Sequence, residues 1–278
     1  MPMSRRQRAE YEKTHLWRVP YDTSPRYLAG PGDARHVTHG LAATGWTRTS
    51  DPLNPHMVLT SPDLTRRLEF TPEPGHLSSW WKLTSLPTDT DPYWWIDLGQ
   101  LVPVEILGSL TDALLGAPPA GQPDPWQSVP SAGWSREAEN KVLSADGMCT
   151  IELRNRRYLP APDDAPAWHI ETHENSFDGH PGRRIWHASF HENTPAHLVN
   201  AFVAALTDTT PLVRGMYDSA AHHTAAKTQS RLTSERVVAA HNTRLDALRA
   251  QARTVRRQQR PTTTQPPAPP EAPAPARC

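Results

Sequence analysis

The chain can be read twice. Trp94 and Trp186 stand 92 residues apart, and from them "WWIDLGQLVPVEILGSLTDAL" lies over "WHASFHENTPAHLVNAFVAAL" without a gap. Pro103 falls on Pro195, Ile106 on Leu198, Leu110 on Phe202 and Leu114 on Leu206. Upstream, Trp81 pairs with Trp168, "MVLTSPDLTRRLEF" with "KVLSADGMCTIEL", and Gly45-Trp46 with Gly133-Trp134. Landmarks kept in one order over such a span argue for an internal duplication. The fold must then be something that one supersecondary motif, used twice, can build.

Each copy has the same local grammar. "VLTSPD" and "VLSADG" end β-prone runs in turn residues, and "TRRLEF" and "CTIEL" resume with a period of two, which predicts a hairpin in each. Trp81, Leu83 and Ser85 share one face of the next strand, as do Trp168, Ile170 and Thr172. Trp94, Ile96 and Leu98 share a face of the fourth, as do Trp186, Ala188 and Phe190. A helix entered through proline follows, with Ile106, Leu107, Leu110 and Leu114 as one apolar stripe and Leu198, Val199, Phe202 and Leu206 as the other. Thr194, just before Pro195, is placed to cap the second helix. The expected fold is α+β: two tandem repeats, each an antiparallel four-stranded sheet with a helix packed on one face, followed by a C-terminal helix and a disordered tail. The expected division is a basic extension over 1–24, a first repeat over 25–116, a linker over 117–125, a second repeat over 126–213, a helical region over 214–258 and a proline-rich tail over 259–278. A short helix over "DARHVTHGLAATG" precedes the first copy's strands.

"SPRYLAGPGD", "GWTRTSDPLNPHMVLTSPDLTRRLEFTPEP", "DPYWWIDLGQLVPVEILGSLTDALL" and "IWHASFHENTPAHLVNAFVAALTD" resemble the tandem modules of the actinobacterial domain-of-unknown-function family 317, common in Streptomyces. The resemblance covers roughly residues 25 to 213. It implies a two-copy module in a soluble bacterial protein and brings no catalytic or ligand-binding residues with it. The second copy is the more divergent, with "SADG" where the first has "SPDL".

A formal net charge of zero hides an uneven layout. Residues 1–30 hold six Arg/Lys against three Asp/Glu, residues 31–206 twelve against twenty-one, and residues 207–278 eleven against five. An acidic body repels phosphate, so nucleic acid would have to be met by the basic ends. The two cysteines form no metal knuckle or disulfide framework: Cys149 reads as a small strand residue and Cys278 as a thiol on the tail. No stretch approaches eighteen apolar residues, and basic "MPMSRRQRAEYEK" has no apolar segment behind it, so a cytoplasmic protein without a membrane partner is expected.

Three groups of residues are candidates for function. Trp80 and Trp95 alternate out of phase with Trp81 and Trp94, which puts them on the sheet face away from the helices and marks them for contact with a protein partner or a second copy of the chain; burial of these faces between the repeats or under the C-terminal helix is the plainer alternative. "HIETHEN" and "HASFHEN" place His169, Glu171 and His173 on one strand face and His187, Ser189 and His191 on another. If the strands pair, a register of His173 with His187 and His169 with His191 gathers imidazoles able to hold a late transition metal. A polar sheet face, or a protein contact that titrates near neutrality, accounts for the same residues. Lastly, residues 219–257 lack proline and predict a long helix, with Leu232, Val238, Leu245 and Leu248 as a partial seam and Arg249, Arg253, Arg256 and Arg257 at its far end. A solvated surface helix, a partner helix and a nucleic-acid contact all remain open for it.

Other motifs read as structure. "AGPGD" is a turn ahead of a helix, and "RNRRYL", 154–159, is a loop after a strand whose alternative is a phosphate contact with Tyr158 stacking. There is no GxSxG elbow, GxGxxG, Walker, HExxH or EF-hand pattern, so no cofactor is implied. The function expected is a non-enzymatic interaction or structural module. A nucleic-acid accessory protein and a metal-dependent enzyme are its alternatives.

Overall fold

The computed structural model describes residues 4–258 except 52, 54, 73–78, 117, 120, 122, 130–132, 155–165 and 176–181. The expected tail, Cys278 and all of "RNRRYL" but Arg154 lie outside the described residues. In chain order the elements are α1 (Arg5–Leu16), β1 (Pro20–Ser24), α2 (Arg35–Ala43), β2 (Thr47–Arg48), β3 (Met57–Thr60), β4 (Arg66–Phe70), β5 (Ser79–Ser85), β6 (Trp94–Gly99) and α3 (Val104–Leu115). The second half has β7 (Ser135–Ala138), β8 (Lys141–Leu143), β9 (Cys149–Leu153), β10 (Pro166–His173), β11 (Arg184–His191), α4 (Ala196–Thr207), β12 (Leu212–Gly215), β13 (Ala226–Gln229) and α5 (Ser234–Gln258).

The fold is α+β with antiparallel sheets, but the copies do not form two separate four-stranded sheets. Each contributes five strands, and the two sets join edge to edge in one ten-stranded sheet of order β2-β3-β4-β5-β6-β11-β10-β9-β8-β7. The join is an antiparallel β6–β11 pair in which Leu98 faces Ala188, Asp97 faces Ser189 and Ile96 faces Phe190. An isolated four-stranded unit would leave β6 or β11 as an open edge, and pairing them satisfies both rows of backbone groups. The order is a palindrome, as an approximate two-fold relation between duplicated halves requires.

The hairpin turns show the repeat at atomic detail. In both copies a serine hydroxyl donates to the aspartate two residues on, Ser61 to Asp63 and Ser144 to Asp146. That serine oxygen accepts the amide five residues on, from Arg66 at 2.9 Å and Cys149 at 2.9 Å. The fourth turn residue is left-handed in each, Leu64 at φ 63° and Gly147 at φ 72°.

α3 and α4 lie side by side over one face of the sheet. Beneath them Trp81, Trp94 and Trp186 are each at most 2% exposed, joined by Leu83, Ile96, Leu98, Ile170 and Phe190 at zero. Burial of a tryptophan contributes about 4–6 kcal/mol of transfer free energy, so these three anchor the layer. Pro103 and Pro195 occupy the N-cap positions of α3 and α4, without a side-chain cap. Thr194 therefore stands one residue too early to cap, and its hydroxyl donates to the Trp95 carbonyl across the seam. Cys149 is buried in β9, where burial pushes its thiol up.

The flanking segments add a second layer. Residues expected to be a basic extension contain α1, opened by a capping box between Ser4 and Gln7, and β1, the middle strand of a three-stranded sheet of order β12-β1-β13. The predicted helix over 219–257 is shorter than expected: β13 occupies 226–229 and α5 starts at Ser234. Its seam, Val238, His241, Leu245 and Leu248, is buried, with α1 and α2 against the helix. Leu232 falls outside the helix and is 41% exposed.

Candidate functional site

The sheet face away from α3 and α4 is the first candidate, and its centre is the seam between the copies. Thr84 pairs with Trp95 across β5 and β6, and Ser85 with Trp94. Leu86 follows β5 two residues after Thr84, and Tyr93 precedes β6 two residues before Trp95. Leu86 is 55% exposed, Tyr93 38%, and Trp95 half-buried. The His191 ring, from the other copy, lies 6.0 Å from both the Tyr93 and the Trp95 ring centres. Asn193 donates to the Tyr93 carbonyl at 3.3 Å and ties the same corner. Tyr93 and Trp95 from one repeat thus meet His191 from the other in one aromatic cluster.

Trp80 is not part of it. The β5–β6 register slips between Ser79 and Trp81, leaving Trp80 as the extra residue of a bulge. A bulge re-aims the side chain it carries. Trp80 turns edge-on to Phe70, centroids 6.0 Å apart, and packs half-buried against the core.

The histidine strands do pair, but in a register other than the expected one. His169 faces Ser189, Glu171 faces His187, His173 faces Arg184 and His191 faces Pro166. His173 therefore does not meet His187, nor His169 His191: between a bulge at Thr172/His173 and another near Pro166, the regular pairing runs two residues out of the expected register. The four imidazoles are spread over several rows. Among the described residues no group of three or more His, Cys, Asp or Glu is arranged to hold a metal ion.

What the register creates is a hydrogen-bonded line. Ser189 Oγ is 3.0 Å from His169 Nδ1, and His169 Nε2 is 2.8 Å from Glu171 Oε1. Arg184 donates to the same Glu171 oxygen at 3.1 Å. Burial alone would raise the Glu171 carboxyl, but the His169 and Arg184 hydrogen bonds hold it down at about 2. Burial also lowers His173 and His187. Serine, histidine and glutamate in line can relay a proton. However, β11 lies between β6 and β10, so the amides around Ser189 are spent in the ladder and none is left to stabilise an oxyanion. Asp97 is Ser189's cross-strand neighbour on β6.

The arginines of α5 are divided. Arg249 binds Asp246 at 3.2 Å, and Arg256 donates to the Thr44 carbonyl at 3.0 Å, close against Gly45. Arg253 and Arg257 are exposed. Of the basic cluster read from the sequence, Arg249 is thus paired within the helix and Arg256 alone ties it to the end of α2.

A group with no local signature lies on the opposite side, between α1, α2 and α5. Tyr11 is stacked between His15 and His241, ring centres 4.0 and 3.9 Å away. His39 Nδ1 is 3.4 Å from His241 Nε2. Burial, then Arg244, lowers His36 to about 4; burial, then Arg35, lowers His39 to about 4; burial, then His36 and His39, lowers His241 to about 3. Their partners stand some 200 residues apart in the chain, so no spacing within the sequence announces them.

Fold and site together define an α+β protein built from a duplicated strand-and-helix unit whose copies share one antiparallel sheet. Residues 60–120 and 144–212 each match the family described as SPDY, domain of unknown function (DUF317), so the chain carries two tandem copies of that domain. No curated protein and no solved structure matches the chain. Trp95, Tyr93, Leu86 and His191 fall inside the matched segments, whereas α1, α2 and α5 fall outside them.

Proposed function

We propose that this chain is a non-enzymatic binding module that docks a protein partner on the open face of its sheet, at the seam between the copies. One observation carries the reading: Tyr93 and Trp95 of one copy meet the His191 ring of the other, with Leu86 exposed at the end of the neighbouring strand, although nothing in the hydrophobic layer under α3 and α4 requires large apolar groups on that side. Aromatic side chains at a solvent-reachable centre, ringed by polar groups, are the composition of binding hot spots. Around this patch stand Thr84, Asn193 and the Ser189–His169–Glu171 line, which supply a polar rim. Among the described residues no helix is long and apolar enough to cross a membrane, and a membrane surface is not the partner proposed.

The test is a Trp95→Asp/Tyr93→Asp double variant of the full chain, used as bait beside the wild type in the native cell. The expected result is loss of a co-purifying protein with the thermal midpoint kept, because both positions face away from the core. A partner retained by the folded double variant refutes the proposal. Size-exclusion of the purified chain distinguishes a second copy from a different partner: a dimer that the double variant abolishes makes the partner the chain itself.

A further inference from the structure

A cavity of about 340 Å³ lies between α1, α5, the start of α3 and β12. It falls at the lower end of the range for small-molecule sites, about 300–1,000 Å³. Among the described residues of its walls, only Glu105, Pro211 and Leu212 come from the matched segments. The cavity is a construction of this chain's own flanks around the repeats.

Its lining is specific about ligand chemistry. One wall is apolar, made by Pro20, Leu212, Val213, Leu232, Val237 and Ala240. The aromatic column of His15, Tyr11 and His241 forms another. Among the described residues, every Arg, Asp and Glu lining the cavity is held in an ion pair. Arg214, with a side chain 2% exposed, grips both oxygens of Glu105 at 2.7 and 2.8 Å and donates to the carbonyls of Ala29 and Gly30. Asp33 is held by His15 at 2.9 Å and Arg35 at 2.6 Å, Arg18 by Asp218 at 3.1 Å, and Arg244 by Asp112 at 2.6 Å. A charged ligand entering this space would lose its hydration without gaining a free counter-ion, and that cost is large. The side chains of Glu105 and Asp218 remain 27% and 33% exposed, with lone pairs beyond those that their arginines and, for Asp218, the Gly215 amide use. They can accept hydrogen bonds from a neutral donor.

We infer that this cavity binds a small, uncharged, flat molecule that donates hydrogen bonds, of the phenol or aromatic-amide class, lying between the apolar wall and the Tyr11 column with its donors toward Glu105 and Asp218. The site is independent of the sheet-face patch and stands or falls without it.

Three probes on one skeleton test the inference with the full chain: 4-hydroxybenzamide, its anionic relative 4-hydroxybenzoate and its cationic relative 4-hydroxybenzylamine, followed by ligand-observed saturation-transfer NMR. The amide is expected to bind roughly tenfold more tightly than either ion. Ala240→Trp, at an exposed position of the apolar wall, fills the space and should weaken the amide by about tenfold or more, with the thermal midpoint unchanged. Should Ala240→Trp fail to fold, Leu232→Trp, ahead of the helix, obstructs the same volume. An ion bound as tightly as the amide, undiminished binding to a folded filled variant, or no binding of the amide overturns the proposal.

Discussion

Leu64 and Gly147 hold the same step of the same turn, and only one of them suits it. Both are left-handed, at φ 63° and 72°. That conformation costs an L-residue with a Cβ about 1–2 kcal/mol, whereas glycine adopts it freely at a cost in unfolded-state entropy of roughly 0.5–1 kcal/mol. Leu64 is 69% exposed, so little burial offsets the strain. Leu64→Gly should therefore stabilise the chain by up to about 1 kcal/mol, and Gly147→Leu, where a Cβ meets nothing within 4 Å, should destabilise it by about as much. Urea midpoints measured for the two variants check the pair; equal and negligible shifts would mean that the turns do not share this geometry in solution. The turn was legible in the sequence because its Ser-x-Asp spacing is local. The identity of the left-handed residue in "SPDL" was not, since leucine gives no sign of it.

At the scale of elements, alternation identified the buried faces of β5, β6, β10 and β11 because period-two burial is written directly into consecutive residues. It failed at Trp80, where a bulge adds a residue without altering the pattern, and in the β10–β11 register, because a shift of two residues keeps every side chain on the same face and so leaves the alternation unchanged. The packing of α5 was half legible: Val238, Leu245 and Leu248 marked a seam, but His241 sits in the same seam as a buried imidazole. His36, His39 and His241 have a shared consequence. Burial holds all three neutral, at about 4, 4 and 3, against about 6.5 in the unfolded chain. Their contribution to stability is complete above pH 6.5 and is lost as pH falls from 6.5 toward 4, because the unfolded state binds protons that the folded state refuses. Each adds up to about 1.36 kcal/mol per pH unit to that slope. The groups facing them include Arg35, Arg244, Asp33, Glu105 and Asp112; against burial, hydrogen bonds from His15 and Arg35 hold Asp33, and Arg214 holds Glu105, below the usual carboxylate range, so those two act mainly below this window. Thermal midpoints should drop between pH 6.5 and 4, and His241→Phe, which keeps the stack on Tyr11, should flatten the slope by about a third. A midpoint independent of pH over that range would show that the imidazoles are not buried as neutral groups.

For the whole molecule, the missed feature was the merger of the two sheets. Its trace in the sequence was negative: "IWHASF" in β11 carries no lysine, proline or carboxylate of the kind that protects an open edge. The true ends of the sheet carry such protection, with β2 only two residues long and β7 fully exposed as Ser-Arg-Glu-Ala. Pairing between strands 90 residues apart leaves no local periodicity, so only that absence could have pointed to it. The merger determines how the molecule unfolds. The copies share the β6–β11 ladder and the α3–α4 contact, and β1 near the N-terminus pairs with both β12 and β13 near the C-terminus. Neither half closes its own sheet or its own helix layer. A protease site inserted between residues 118 and 124 and cut in the folded protein should leave two fragments that co-elute as one species and unfold in a single transition. Each fragment produced alone should aggregate through its open β6 or β11 edge. Fragments that separate after cutting under native conditions, or that stay monomeric and folded alone, would make the copies independent domains, and the seam at Trp95 could not then serve as a fixed docking surface.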